Sequence, residues 1–293
     1  MGLLVSALAL LAALVASPGG TAGQRSVPAL TRVAVVVTEN HEYGQVIGSK
    51  QAPWITRQAR RGGLATRYFA ITHPSLPNYL AMLGGATFGI RDDCTGCHTG
   101  ATNLVDQLEA GGISWRAYME SMPRPCYKPT SSQDEQGRYA KRHNPFFYFD
   151  DIRSNPSRCG NVVPLSGLAS DISSGTLPRF IWITPNLCND MHDCSVRTGD
   201  RWAKRTLPAL VNALGPNGVL FFVFDEGTSD RGCCGGAAGG RVPLIAIGPA
   251  ANSGTVEATP VDHYALLRTV EEAFGLPPLR NATSAGDLGA LLR

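Results

Sequence analysis

Three short apolar runs in the chain have the pattern of β-strands that are buried on both faces. They are residues 32–38, 180–184 and 219–224, which read RVAVVVT, FIWIT and VLFFVF. Continuous runs of β-branched and aromatic residues are typical of central strands in a parallel sheet. Polar residues follow each run directly, so we expect polar side chains at the end of each predicted strand.

Helical patterns lie between and after these strands. They cover residues 75–83, 103–110, 201–214 and 262–274, and glycines close the second and the fourth. Alternating strands and helices predict an α/β fold with a mainly parallel sheet. No Pro/Gly/Ser-rich linker divides the chain, so we expect a single domain over residues 27–293.

Two of the predicted strands end in pairs of candidate metal ligands. Glu39 and Asn40 follow the first strand, and Asp225 and Glu226 follow the third. In open α/β sheets, ligands bind outside the carboxyl ends of the strands, so these pairs are expected to meet in one site. Three carboxylates and one amide oxygen suit a hard divalent cation. Either pair alone would be as consistent with a helix cap or a turn.

Ser75 lies at the start of a predicted helix, in the segment THPSLPNY. Leu76, Leu80 and Leu83 form the apolar stripe of that helix. Free backbone N–H groups at a helix start favour a phosphate, and a neighbouring metal ion would lower the pKa of the serine hydroxyl. Ser75 is therefore a candidate nucleophile, and the alternative is that it only caps the helix.

The amino-terminal residues have the composition of a secretory signal peptide. The first 15 residues, MGLLVSALALLAALV, are apolar, and small residues follow them. The run is too short for a comfortable membrane span. We expect a signal peptide over residues 1–23, a secreted mature protein and no transmembrane segment in it. The alternative is an uncleaved anchor, since the start of the run has no Lys or Arg.

The eight cysteines are more typical of an oxidising compartment than of a cytosol. Cys94 and Cys97 form a C-x-x-C pair, but neither a thioredoxin-like context nor a second pair for zinc accompanies it. Structural disulfides are therefore expected. We predict one bridge between Cys188 and Cys194, and one that joins Cys126 to Cys94 or Cys97.

The net charge of the chain gives no indication of a nucleic-acid partner. Its 26 basic and 23 acidic residues give a formal charge of +3. Four arginines, at 57, 60, 61 and 67, lie in one short region. We interpret them as the solvated face of a helix, and we expect no nucleic acid among the partners.

Six segments of the chain, in order, resemble the motifs of a known family. They read TENHEYGQVIG, THPSLPNYLAMLGG, YAKRHNPF, TPNLCNDMHDCSVRTGDRWA, VFDEG and VDHYALLRTVEEAFGLP. They are similar to the phosphoesterase family that groups bacterial phospholipases C with acid phosphatases, within the alkaline phosphatase superfamily. The resemblance implies an alkaline-phosphatase-like fold, a three-layer sandwich with a mainly parallel central sheet.

The same resemblance implies roles for residues in the matching motifs. One divalent ion of unknown identity would be held by Glu39, Asn40, Ser75, Asp225 and Glu226, with Ser75 as the nucleophile. Asn78 would bind phosphate. His143 and His192 would contact the phosphoryl oxygens or assist the leaving group. Asp190 and Asp193 would either bind the metal themselves or support the residues that bind it. The roles of His73 and His263 stay open.

Together these features predict a secreted acid phosphatase that hydrolyses phosphate monoesters through a phosphoserine intermediate. The short chain and the THPSLPNYLA and NDMHD segments look most like secreted acid phosphatases of the mycobacterial type. Phosphoinositides are candidate substrates, with peripheral contact to lipid. One alternative is a phospholipase C-type phosphodiesterase, and another is a surface protein that binds without catalysis.

Overall fold

The computed structural model describes residues 1–2, 27–129, 131 and 137–293. Residues 3–23 of the predicted signal peptide lie outside the described residues. Within the described part, no helix is long and apolar enough to cross a lipid bilayer.

A nine-stranded mixed sheet forms the centre of the protein. Its strands are β1 (Arg32–Thr38), β2 (Gly63–Phe69), β3 (Trp115–Met119), β4 (Val162–Pro164), β5 (Phe180–Thr184), β6 (Gly218–Phe224), β7 (Arg241–Ile247), β8 (Val256–Glu257) and β9 (Val261–Asp262). The strand order is β4-β3-β5-β1-β6-β7-β2-β8, and β9 pairs with β2. Only β7 runs antiparallel to its neighbours among these strands, so the expectation of a mainly parallel sheet is confirmed.

Helices cover both faces of this sheet. They are α1 (Tyr43–Val46), α2 (Pro53–Arg61), α3 (Ser75–Gly84), α4 (Leu104–Ala110), α5 (Asp150–Arg153), α6 (Pro156–Cys159), α7 (Gly167–Ser173), α8 (Val196–Ala213) and α9 (His263–Ala273). Helix α2 packs against α8, and α3 packs against α9. Successive side chains of β1 point to opposite faces, and Val33 to Val37 are all buried, which requires a layer on each side.

The elements predicted from hydrophobic pattern are present, with shifted ends. Strands β1 and β5 have the predicted bounds, and β6 begins one residue earlier, at Gly218. Helix α8 begins at Val196 rather than at residue 201, because Ser195 caps it by accepting a hydrogen bond from Thr198 N. The arginine cluster is divided: Arg67 lies on β2, whereas the other three lie on α2.

The eight cysteines form four disulfides: Cys94–Cys97, Cys126–Cys159, Cys188–Cys194 and Cys233–Cys234. The predicted bridge between Cys188 and Cys194 is confirmed. The predicted bridge from Cys126 to Cys94 or Cys97 is wrong. Cys126 N donates to Val162 O, which brings Cys126 beside β4 and the end of α6, where Cys159 lies.

Glu271 on α9 gives a stability prediction that is independent of the active site. Its carboxyl is buried, accepts a hydrogen bond from Leu279 N at 2.9 Å, and has its pKa raised by burial to about 8. The pKa of this carboxyl is near 4.5 in the unfolded chain and higher in the folded protein. The free energy of unfolding therefore falls as the pH rises from the first value to the second.

We therefore expect Glu271→Gln to stabilise the protein increasingly between pH 5 and pH 9, by on the order of 3 kcal/mol at the upper end. Urea denaturation of both proteins at each pH measures the difference. Glu272→Gln is the control, because Glu272 pairs with Arg268 at 2.7 Å and its loss should not stabilise. A difference that does not grow with pH would contradict the prediction.

Candidate active site

The ends of β1 and β6 bring the predicted metal ligands together. Thr38 and Phe224 are paired in register, so the residues that follow them, Glu39 and Asp225, start side by side. Both are fully buried. Asn40 has a left-handed backbone (φ 53°), which asparagine tolerates better than most residues, and its N–H donates to Asp225 Oδ1 at 3.2 Å. The structure thus places the two pairs in one site.

The hydroxyl of Ser75 points into this group of carboxylates. Ser75 Oγ donates toward Glu39 Oε2 at 3.1 Å and Glu226 Oε1 at 3.2 Å. Ser75 is the first residue of α3, and the N-cap position belongs to Pro74, so the capping alternative is wrong. All five predicted metal-site residues therefore lie at one edge of the sheet.

The carboxylates of the site can all be ionised at the same time only when a cation offsets their negative charge. Burial, and then the negative charge of Glu226, raises the pKa of Asp225 to about 7. Burial also raises the pKa of Glu226 to about 7, and the pKa values of Glu39 and Asp190 well above their ordinary range. Buried carboxylates held this close repel one another unless an ion or protons neutralise them.

Three buried oxygen atoms at the site have no hydrogen-bond partner among the described residues: Asn40 Oδ1, Asp190 Oδ2 and Asp225 Oδ2. Unpaired buried oxygens are rare in folded proteins and commonly belong to a ligand or ion site. Together with the carboxylates, these atoms form a donor set that fits a divalent cation.

His143 lies among the metal-site carboxylates rather than at the surface. Its Nε2 is 3.3 Å from Glu39 Oε2, its Nδ1 is 3.4 Å from Asp190 Oδ2, and its ring stacks on Tyr79. Burial lowers the pKa of His143 well below its ordinary value, which favours the neutral imidazole. Glu39, His143 and Asp190 could together hold a metal ion. A direct role of His143 toward substrate stays a prediction.

His192 lies at the rim of the site. Its Nδ1 is 2.7 Å from Asp193 Oδ1, and its Nε2 is 3.2 Å from the guanidinium of Arg142. Its backbone N–H donates to Asp190 Oδ1 at 2.8 Å, which ties it to the buried carboxylates. Asp193 thus orients the ring of His192, as a carboxylate commonly does for a histidine that transfers protons.

Asn78 is buried and makes contacts different from those expected. Its Oδ1 accepts from Ile71 N and Thr72 N, and its Nδ2 donates to Thr72 O and Pro74 O. The amide therefore holds the turn before Ser75 through four hydrogen bonds of 2.8 to 3.2 Å. This geometry favours a positioning role, and phosphate binding by Asn78 stays a prediction.

The start of α3 differs from the expected phosphate site in one respect. Leu76 N, a group predicted to be free, donates to Asp93 Oδ1 at 3.0 Å. Arg142 Nε lies 3.4 Å from the other oxygen of Asp93. The carboxylate of Asp93 therefore accepts from a backbone N–H at the start of α3 that was predicted to bind a phosphate.

Several residues that contact the site had no predicted role. The hydroxyl of Tyr79 donates to Glu39 Oε1, and its position four residues after Ser75, on the same helix face, could have indicated this. His73 Nδ1 contacts Glu226 Oε2. His263 Nε2 contacts Asp225 O, and its Nδ1 is 2.9 Å from the hydroxyl of Tyr68. His73 precedes the Asp225-Glu226 segment in the chain and His263 follows it, and each histidine contacts one residue of the segment.

Comparisons with known proteins show the family of the chain. A model of the phosphoesterase family matches residues 49–277. The chain is 34% identical to a phosphatidylinositol-3-phosphatase of Mycobacterium tuberculosis, over 89% of this chain and 82% of that protein. It is 31% identical to a probable acid phosphatase of Kluyveromyces lactis, over 86% of this chain but only 60% of that protein.

Solved structures resemble the fold at low sequence identity. One is a protein of the alkaline phosphatase superfamily from Vibrio parahaemolyticus, with a TM-score of 0.58 and 10% identity over 88% of this chain and 70% of that one. This likeness concerns the fold, and it confirms the expected alkaline-phosphatase-like architecture.

Proposed function

Because the chain belongs to the phosphoesterase family, we propose that it is a secreted, metal-dependent phosphomonoesterase with Ser75 as its nucleophile. The observation that carries the proposal is the position of Ser75 Oγ, which is buried and within 3.2 Å of carboxylates from the ends of both β1 and β6. A serine hydroxyl among candidate metal ligands has the arrangement needed for covalent phosphoryl transfer.

Glu39, Asn40, Asp225 and Glu226 would hold one divalent ion together with Ser75 Oγ. When bound, the ion would lower the pKa of the serine hydroxyl and offset the negative charge of the phosphoryl oxygens. Asn78 fixes the turn that carries Ser75, so the nucleophile is held in place before substrate binds. Tyr79 and His143 contact Glu39 and fix its orientation.

The reaction would proceed in two steps. Ser75 Oγ bonds to phosphorus as the bond to the ester oxygen breaks, and its proton passes to one of the carboxylates beside it. His192, oriented by Asp193, donates a proton to the departing alcohol. The same histidine then takes a proton from the water that attacks phosphoserine. As the bond from phosphorus to Ser75 Oγ breaks, the carboxylate returns the proton it accepted in the first step, so that inorganic phosphate leaves and the Ser75 hydroxyl is restored.

Monoesters are the proposed substrates because the two relatives reported above are named as phosphatases. Export of the mature protein is proposed from the apolar amino-terminal run and from the four disulfides, which suit an oxidising compartment. Phosphoinositides belong to the candidate substrates, since the mycobacterial relative is named as a phosphatidylinositol-3-phosphatase.

The test is a comparison of ester classes with the purified, metal-loaded protein. We expect p-nitrophenyl phosphate to be hydrolysed with a kcat/KM at least tenfold above that for bis-p-nitrophenyl phosphate. Phosphatidylcholine should release little diacylglycerol. The opposite order of rates would favour a phospholipase C-type diesterase, and no hydrolysis of any ester would favour a binding protein.

A further inference from the structure

A pocket of about 390 Å³ lies next to the active site and is not used in the mechanism above. The start of α1, the loop after Glu226 and the first residue of β7 form it, and its lining includes Glu42, Tyr43, Ser229, Arg231 and Arg241. Two of these side chains are arginines, which stay positively charged at any physiological pH. The pocket is thus a candidate site for an anion.

Neither arginine is paired with a carboxylate among the residues that the structure describes. The guanidinium of Arg241 lies over the ring of Tyr43, 4.1 Å from its centre, and its Nε is buried without a hydrogen-bond partner in the described part. Arg231 is exposed at the mouth of the pocket. Their charges are therefore free to act on a ligand.

Glu42 is the acidic residue that lines the pocket, and its contacts lie with the loop instead of with the arginines. Its Oε1 accepts from Thr228 N at 3.2 Å, from Ser229 N at 3.1 Å and from Ser229 Oγ at 2.6 Å. The approach is so close that a Cβ added to Gly227 would lie 2.5 Å from this oxygen. Glu42 therefore joins the two walls of the pocket and offsets only part of its positive charge.

The pocket and the metal site share a short connection. Ser229 O lies 3.3 Å from His73 Nε2, and His73 Nδ1 contacts Glu226, a predicted metal ligand. On the other wall, Glu42 follows Asn40 by two residues. The side chain of His73 thus contacts both the Ser229 wall of the pocket and a carboxylate beside Ser75, so the pocket borders the metal site.

A second large pocket, of about 480 Å³, offers a useful contrast. It is lined by Tyr264, Asn281 and Ser284 among others, and it contains no arginine or lysine. Its one ionisable acid is Asp262, so no side chain that lines it carries a positive charge to attract a phosphate. Of these two pockets, the one with the two arginines has the chemistry that favours an anion.

We propose that the arginine pocket binds a second anionic group of the substrate, a phosphate or a phosphodiester, while the phosphate to be cleaved lies at Ser75. This inference rests on the proposed function and narrows it to monoesters that carry another phosphate group. Arg231 and Arg241 would act as specificity-determining residues, and the second group would come from a lipid phosphodiester or from a free phosphate.

Kinetics with matched substrates test the proposal. Inositol 3-phosphate and p-nitrophenyl phosphate carry one phosphate, inositol 1,3-bisphosphate adds a free one, and dioctanoyl phosphatidylinositol 3-phosphate adds a lipid phosphodiester. We expect Arg231→Ala to raise KM at least tenfold for one or both of the doubly anionic substrates, with kcat nearly unchanged. KM for the two singly phosphorylated substrates should change by less than about twofold.

Arg205→Ala is the matched control, because Arg205 is an exposed arginine of α8, and it should alter no KM. A selective effect on the lipid substrate identifies the phosphodiester as the group bound, and a selective effect on the bisphosphate identifies a free phosphate. An equal rise in KM for all four substrates, or no rise for any, overturns the proposal. Arg231→Lys should recover part of the lost affinity, since it restores the charge.

Binding to a variant without turnover separates this proposal from the proposed function. Ser75→Ala protein should bind inositol 1,3-bisphosphate, dioctanoyl phosphatidylinositol 3-phosphate or both at least tenfold more tightly than inositol 3-phosphate by calorimetry, and adding Arg231→Ala should remove the difference. Equal binding of all three ligands, or a difference that Arg231→Ala leaves unchanged, overturns the pocket assignment. Failure of the wild type to hydrolyse any phosphate ester overturns the proposed function. The binding measurement then still shows whether the pocket binds a second anionic group.

Discussion

Removal of the divalent ion, or the substitution Asp225→Asn, is expected to lower phosphatase turnover by on the order of 10³ or more. Asp225 is buried, and its Oδ2 has no hydrogen-bond partner among the described residues. Asparagine has nearly the same shape and can still accept from Asn40 N through its Oδ1. The substitution therefore removes a charge that the ion needs and leaves the backbone contacts in place.

The fold of the Asp225→Asn variant should survive. Removing one buried carboxylate lowers the repulsion among those that remain, so the metal-free variant should unfold at the same temperature as the metal-free wild type, or at a higher one. Asp287→Asn is the control, since Asp287 caps Gly289 N in a distant segment and should leave both activity and metal content unchanged.

Metal content must be measured by elemental analysis together with activity, because a slowly dissociating ion can survive brief treatment with a chelator. Return of turnover when the divalent ion is added back would show that turnover was lost because the ion was removed. Full turnover in protein that is shown to be free of metal would exclude the metal-dependent mechanism.

The central strands could be predicted because their sequences are continuously apolar, which indicates burial on both faces of the sheet. Other strands lack that pattern. Strand β2 contains the exposed Arg67, and β7 contains Pro243, a residue that usually argues against a strand between two others. The antiparallel position of β7, between β6 and β2, follows from tertiary packing rather than from its own sequence.

The metal-site residues could be predicted from their place at strand ends, whereas the contacts that organise them could not. Asp93 reaches Leu76 N from a loop, and Arg142 approaches both Asp93 and His192. No local pattern distinguishes Asp93 from an ordinary surface carboxylate. The error in the pairing of Cys126 has the same origin, because disulfide connectivity depends on which loops the fold brings together.

The largest effect is expected for Ser75→Ala, because this change removes the atom that would form the covalent bond to phosphorus. Turnover should fall by on the order of 10³ or more, and metal binding should be weakened but not lost, since the four other ligands remain. Stability should change little, because Ser75 is the first helical residue rather than the N-cap and alanine is a good helix former. The matched control is Ser157→Ala, a serine in the first turn of α6 and remote from the carboxylates.

Trapping the intermediate tests the same step directly. Wild-type protein quenched in acid during turnover of labelled substrate should yield one labelled peptide, with the phosphate on Ser75, and the alanine variant should yield none. The label must also disappear at the rate at which phosphate is released, since a dead-end modification would persist. If the alanine variant kept near-normal turnover, water would be the attacking nucleophile, and Ser75 would serve only as a neighbour of Glu39 and Glu226. The two-step reaction would then be replaced by direct hydrolysis at the same metal site.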